Sequence, residues 1–309
     1  MEMAEVAKKD VAIQESTPPM GLKMIAREFT KDRLAMFSLG LLIVILLSVF
    51  IGSMVIDQDK VMFVSIFDKY AEPGTYSDTK DMTFYLGADE GGRDVLGQLF
   101  IGARNSILIG FSITIITSII GVGLGILSGY YGGMVDNVLM RIVDFIMILP
   151  TMMIIIVVVT IIPRYNVWSF IAIMSAFYWT GKARLFRSKT LSEGRLDYVS
   201  ASKTLGTSDF LVMFRELMPN LSSLIITNLT MNFAANIGIE TTLTFLGFGL
   251  PANVPSLGTL IGYAKNGDVL SNKLWVWLPA SILILVMMLS INYVGQAFKR
   301  AADARQRLG

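Results

Sequence analysis

The chain has 309 residues, 53% of them hydrophobic and only 16% charged, with a net charge of +2. A soluble domain carries about 25% charged residues, so this composition excludes an ordinary soluble protein. Its apolar runs are continuous rather than alternating, which points to membrane helices and away from a membrane β-barrel. Cysteine and histidine are absent, which excludes disulfides, thiolate metal sites, cysteine nucleophiles and histidine bases. No G-x-x-x-x-G-K-[ST] loop occurs, so any ATP used must bind another chain.

Residues 1–33 read as an N-terminal tail and interfacial segment. The stretch 1–20, with Pro18 and Pro19, reads as disordered. GLKMIAREFTKDR is basic with apolar Met24, Ile25 and Phe29, as for a segment lying on the membrane surface. This polar approach does not have the pattern of a cleaved signal. The first span is expected over 34–56. An extracytoplasmic loop follows over 57–103, rich in acid from Asp57 to Asp94. Val95, Leu96, Leu99 and Phe100 predict a short helix there, lying on the outer interface. Contact with a substrate-delivering protein is the alternative for this loop.

A five-helix core is expected over 104–297, with a tail at 298–309. Its spans read as 106–130, 138–162, 167–181, 221–246 and 274–297. The fourth is short, and its helix is expected to continue past Lys182 into water. The fold is therefore all-α, a polytopic membrane protein of six helices. Lysine and arginine cluster before the first span, after the fourth and after the sixth, which puts all three segments and both termini in the cytoplasm. Trp275 and Trp277 read as interfacial anchors at the outer end of the last span.

Within the core, Gly121, Gly125 and Gly129 form overlapping small-x-x-x-small pairs, a packing signal. Arg141 and Asp144 are three apart and are expected to pair. Pro150 is expected to kink its span. Asn228, Asn232, Asn236 and Glu240 recur every four residues, a stripe that winds slowly round one helix. We read the stripe as facing a translocation cavity, because polar groups inside a bilayer mark pathways; interhelical bonding is the alternative. Glu240, near the outer end, suits a gating or structural role.

The segment 182–220 is too long and too helical for a mere connection. A first helix is expected over Leu196–Leu205. Gly206 then allows a turn, and Thr207 or Ser208 caps a second helix through Phe214. Asp209 suits that helix's dipole. The second helix carries Phe210, Leu211, Val212, Met213 and Phe214 in a row, followed by Arg215. Pro219 breaks the chain before span five. A solvated linker on the membrane surface and a docking element for a cytoplasmic partner both fit these residues.

DYVSASKTLGTSDFLVMFRELMPN, Asp197 to Asn220, resembles the cytoplasmic loop of ABC importer permeases. Ala201, Gly206 and Pro219 match the EAA---G---------I-LP pattern, while Ser200, Ser202, Glu216 and Met218 depart from it. The dipeptide/oligopeptide/nickel branch fits better, through Asp197, Tyr198, Val199, Ala201, Leu205, Gly206, Ser208, Asp209, Phe214, Arg215, Pro219 and Asn220. LGADEGGRDVLGQLFIGAR (86–104), GYYGGMVDNVLMRIVDFIMILP (129–150) and ETTLTFLGFGLP (240–251) resemble further segments of that branch, in order. The single long outer loop resembles the second, C-type permease of such systems.

The resemblance implies a type I importer transmembrane domain that moves oligopeptides or dipeptides across a prokaryotic cytoplasmic membrane. It implies a homologous second permease, two cytoplasmic ATPases and an extracytoplasmic peptide-binding protein as partners. Membrane lipid surrounds the chain, and nucleic acid has no part. No cofactor is expected on this chain; ATP and Mg belong to the ATPases. The Leu205–Phe214 region would be the coupling helix, drawn inward as the ATPases close. Nickel or another small solute is the alternative cargo, and an ATP-independent secondary transporter the alternative class. No nucleophile–base or metal constellation supports an enzyme.

Overall fold

Asp32 opens the first long helix by accepting hydrogen bonds from the backbone N–H groups of Leu34 and Ala35, both at 3.1 Å. That helix, α1 (Arg33–Val55), is apolar on every side. Leu34, Phe37, Val44, Leu47, Ile51, Met54 and Val55 remain exposed on it, as suits a helix bathed in lipid. The computed structural model describes residues 29–251 and 253–303. The segments 1–28 and 304–309 lie outside the described residues, and with them most of the expected tail and interfacial segment and the last tail charges.

A short helix α2 (Gln58–Met62) follows, then a two-stranded antiparallel hairpin of β1 (Thr75–Ser77) and β2 (Met82–Phe84). This makes a small cap at one end of the bundle. The pillar of the fold is α3 (Val95–Tyr131), 37 residues without a break. At 1.5 Å per residue it is about 55 Å long, well beyond a bilayer core of about 30 Å. The expected interfacial helix at Val95–Phe100 is thus no separate element. It is the first turn and a half of α3, buried against the cap, where Val61 packs onto Gly97.

Gly132 and Gly133 both take positive φ and turn the chain into α4 (Gly133–Ile148). Pro150 then does more than kink the span. It ends α4, and α5 (Thr151–Ile161) leaves at 81°. α6 (Val167–Phe177) and α7 (Thr180–Glu193) replace the expected fourth span. At 11 residues α6 is about 16 Å long, too short to span alone. α8 (Asp197–Thr204) and α9 (Asp209–Asn220) form the polar excursion. A bend of 67° at Leu221 leads into α10 (Ser222–Leu246). The short helices α11 (Leu257–Gly262) and α12 (Gly267–Asn272) return to the cap end, and α13 (Leu274–Asp303) closes the chain. Among the described residues, three helices are long and apolar enough to span a membrane, or five when each bent pair counts as one.

Packing centres on α3. Its glycine stripe meets α7 backbone to backbone. A Cβ on Gly121, Gly125 or Gly129 would lie 2.7 Å from the carbonyl oxygens of Trp179, Ala183 and Arg187 respectively. That is the close approach small residues permit. One apolar core joins α1, α3, α10, α11 and α13 around Ile107, Ile237 and Met287. A second joins α3, α5, α6 and α10 around Ile113, Phe170 and Leu243. The expected Arg141–Asp144 pair does not form. Asp144 takes Arg184 of α7 instead, and Asp136 takes Arg187 in a two-pronged pair with one arm at 2.5 Å. Both acids thus pin α4 to α7, because α4 presents them to that helix rather than along its own surface.

Candidate functional site

The excursion α8–α9 splits into an anchored face and an offered face. Val199, Val212, Met213 and Leu217 are buried against Val122, Ile126, Phe186 and Leu221, so the element has a fixed seat on α3 and α7. Tyr198 is half-buried and donates to Glu193 at 3.3 Å. Tyr130 of α3 donates its hydroxyl to Asp209 at 2.6 Å, and Lys203 lies over the Tyr130 ring at 4.2 Å. Ala201, Ser208, Asp209, Arg215 and Pro219 are exposed. So are the large apolar side chains: Leu205 is 86% exposed and Phe210 63%, with Leu211 and Phe214 beside them. The rings of Phe210 and Phe214 pack at 4.5 Å into one apolar tip.

The local folding of the tip follows its sequence with two corrections. Gly206 turns the chain at φ +82°; a Cβ there would meet nothing, so the demand is purely conformational. Ser208 holds the N-cap position of α9, yet its side chain makes no capping bond. α9 also does not end at Phe214. It widens into a π-helical turn over Val212–Leu217 and runs on to Asn220. Pro219 has no N–H to give the turn before it, and the Asn220 amide donates to the Glu216 carbonyl at 2.8 Å. The break expected at Pro219 falls at Leu221.

The polar stripe on α10 divides in the middle. Asn228 lines a cavity of about 310 Å³ between α7, α10 and α13, with Lys189 and Lys299 among its other walls. Asn232 donates to the Asn228 carbonyl at 2.8 Å and to its side-chain oxygen at 3.0 Å. Asn236 is buried and donates to Thr114 of α3 at 2.8 Å. Glu240 is fully buried and accepts from Thr244 at 3.0 Å and Thr241 at 3.3 Å, with the hydroxyls of Ser106 and Ser256 turned to it as well. Asn236 therefore does not face the cavity as expected, and Glu240, expected in a gating or structural role, is likewise buried. They bond helix to helix, because at four residues per step the stripe winds from the cavity into the α3 interface.

The amino-acid sequence that carries this tip matches one family over most of the core. Residues 121–308 match the model of the binding-protein-dependent transport system inner membrane component. The chain belongs to this family. Residues 22–73 match the N-terminal TM domain of oligopeptide transport permease C. The oligopeptide transport system permease protein OppC of Lactococcus lactis subsp. cremoris is 51% identical over 282 residues, 91% of this chain and 94% of that one. The oligopeptide transport system permease protein AmiD of Streptococcus pneumoniae is 35% identical over 92% of this chain and 89% of its own. The OppC protein of Mycobacterium tuberculosis is 30% identical over 92% and 94%.

Two buried polar features of this permease were not legible in its sequence. Asp89, buried, accepts from Gly91 N, Arg93 N, Arg93 Nε, Gln98 and Tyr263 at 2.8–3.0 Å. This hub ties the cap to the segment after α11. The segment 86–104 announces its importance by resemblance, but nothing local predicts Tyr263 as a partner 174 residues away. Lys182, counted as a solvated cytoplasmic charge, is instead 4% exposed and donates to Thr117 of α3. Trp275 and Trp277 are half-buried, and Trp275 lies against Gly87 of the cap.

Proposed function

We propose that this chain is one permease subunit of an ATP-driven importer that carries oligopeptides or dipeptides across the cytoplasmic membrane of a prokaryote. The observation that carries the reading is the exposed apolar tip of Leu205, Phe210, Leu211 and Phe214 on an anchored seat. A tip of that kind needs a groove to bury it. The groove belongs to an ATPase subunit, which binds ATP and Mg; this chain binds neither. A homologous second permease, two ATPases and an extracytoplasmic peptide-binding protein complete the assembly. The relatives that match over nine-tenths of this chain carry oligopeptide names, which favours peptide over nickel.

In this reading α6 with the start of α7 serves as the fourth of six spans, both termini are cytoplasmic, and α8–α9 lies on the cytoplasmic side. Asn228, which faces a cavity, and Asn232, which bonds to it, belong to the translocation path. Their amides bond a peptide backbone without selecting side chains. The tip is tested by Phe210→Asp with Phe214→Asp in the complete transporter. Both side chains are half or more exposed, so the permease folds, while co-purification of the ATPases falls at least about tenfold, as for loss of an apolar anchor. ATPases that stay bound to the double variant overturn the docking role.

A further inference from the structure

Both flanks of the α8–α9 excursion are tied to the same helix, one turn apart. On the far flank, Asn236 of α10 donates to Thr114. On the near flank, Lys182 of α7 donates to Thr117. Each threonine passes a hydrogen bond to the α3 backbone, Thr114 to the Gly110 carbonyl and Thr117 to the Ile113 carbonyl, both at 2.7 Å. All four side chains are buried.

Lys182 is the odd member. Thr117 lies 14 residues, about 21 Å of helix, from the Tyr131 end of α3, well inside the bundle. Among the described residues no carboxylate pairs with the ammonium. An unpaired buried charge is expensive, and an apolar side chain of similar length is often the more stable choice. Simple cohesion between α3 and α7 therefore does not account for a lysine here.

The close seat of α7 on α3 shows what the bond adds. The Cβ atoms of Lys182, Phe186 and Thr190 rest at Gly121, Gly125 and Gly129, with Val122 and Ile126 packed beside Phe186. These apolar contacts are non-directional; the ammonium–hydroxyl bond is directional and ties the Lys182 end of α7 to α3. Lys182 reaches Thr117 from the turn where its own Cβ rests against Gly121.

We propose that Lys182 is a positioning residue of the coupling path: it pins α7 in register on α3 beside the Asn236–Thr114 tie, so that a pull on the α8–α9 tip moves α7, α3 and α10 as one block. The proposal rests on the reading that the tip docks an ATPase. Without the pin, the Lys182 end of α7 parts from α3 and the displacement of the tip is dissipated before it reaches the spans.

The test uses the complete transporter, with both permeases, ATPases and binding protein, in proteoliposomes, comparing wild type, Lys182→Met, Thr117→Val and the double variant. Lys182→Met is expected to keep or raise the thermal midpoint and to keep the ATPases bound. Peptide taken up per ATP hydrolysed falls by about tenfold, within the range of residues that carry coupling. Thr117→Val has the same effect, and the double variant is no worse, because one interaction has been removed. Unchanged uptake per ATP in Lys182→Met and Thr117→Val overturns the proposal. So does a fall in thermal midpoint with coupling intact, which marks a merely structural bond. Should Lys182→Met fail to fold, Thr117→Val decides alone. A wild-type complex that moves no peptide on ATP overturns the docking reading, and this inference with it.

Discussion

Glu240 shows how a carboxylate is kept inside a bilayer protein without an ion-pair partner. Its two oxygens are met by hydroxyls, from Thr241 and Thr244 on its own helix and from Ser106 and Ser256 on α3 and the start of α11. Those hydroxyls have duties of their own. Ser106 accepts the backbone N–H of Leu257 at 3.2 Å, and Ser256 that of Thr259 at 3.1 Å. The carboxylate thus completes a polar joint between three elements. Glu240→Leu strands several buried hydroxyls at once, each worth about 1–3 kcal/mol. The expected result is a markedly lower thermal midpoint in detergent, with Glu240→Gln nearer to wild type. An unchanged midpoint for the leucine variant would show that water takes over the joint.

At the scale of elements, the contact of α3 with α7 rests on absent side chains. A Cβ at Gly125 would stand 2.7 Å from the Ala183 carbonyl oxygen and 2.8 Å from Phe186 Cβ, and backbone cannot yield there. Gly125→Ala is expected to cost about 1–3 kcal/mol by overpacking, read as a lower thermal midpoint, whereas the same change at Gly123, where a Cβ meets nothing, is near neutral. That contrast was half legible in the sequence. The four-residue glycine spacing announces a packed face, and the long apolar runs announce α1, α10 and α13. The start of α3 was not legible, because Gly97, Gln98, Gly102, Arg104 and Asn105 dilute its apolarity. That stretch packs on the cap and α11, so it has no need of a wholly apolar surface. The register of Lys182 was invisible for another reason: a charge after a short apolar run looks solvated, and only its distant partner Thr117 says otherwise. The polar stripe was legible as a pattern but not by destination, since the same spacing serves a cavity at Asn228 and an interface at Asn236. The family resemblance located the excursion at α8–α9. The exposure of Phe210 and Phe214 could have been argued from their neighbours Val212, Met213 and Leu217, which alternate with them round the helix and take the buried face.

For the whole molecule, the first and last helices are joined at one end. Arg300 of α13 donates to Asp32 at 2.5 Å, and the rings of Phe29 and Phe298 stack at 4.7 Å beside them. Hydrogen bonds from the Ala35 backbone and from Arg300 hold the Asp32 carboxyl below its ordinary range. A lowered carboxyl pKa contributes stability that is present above the unfolded value and lost as pH falls through the folded one, so this bond persists across neutral and mildly acid pH. The partners are 268 residues apart in the chain. A ribosome adding about 5–20 residues per second needs roughly 13–54 s to cover that distance. For that interval the first helix waits in the bilayer with its seat on α13 not yet made. Its apolar circumference makes the wait harmless, since lipid solvates each face equally well. The closing step of biogenesis is then the capture of Asp32 by Arg300. Arg300→Glu should lengthen the interval during which nascent chains are open to membrane proteases, seen in pulse–chase labelling as faster loss of young protein with no change in the decay of mature protein.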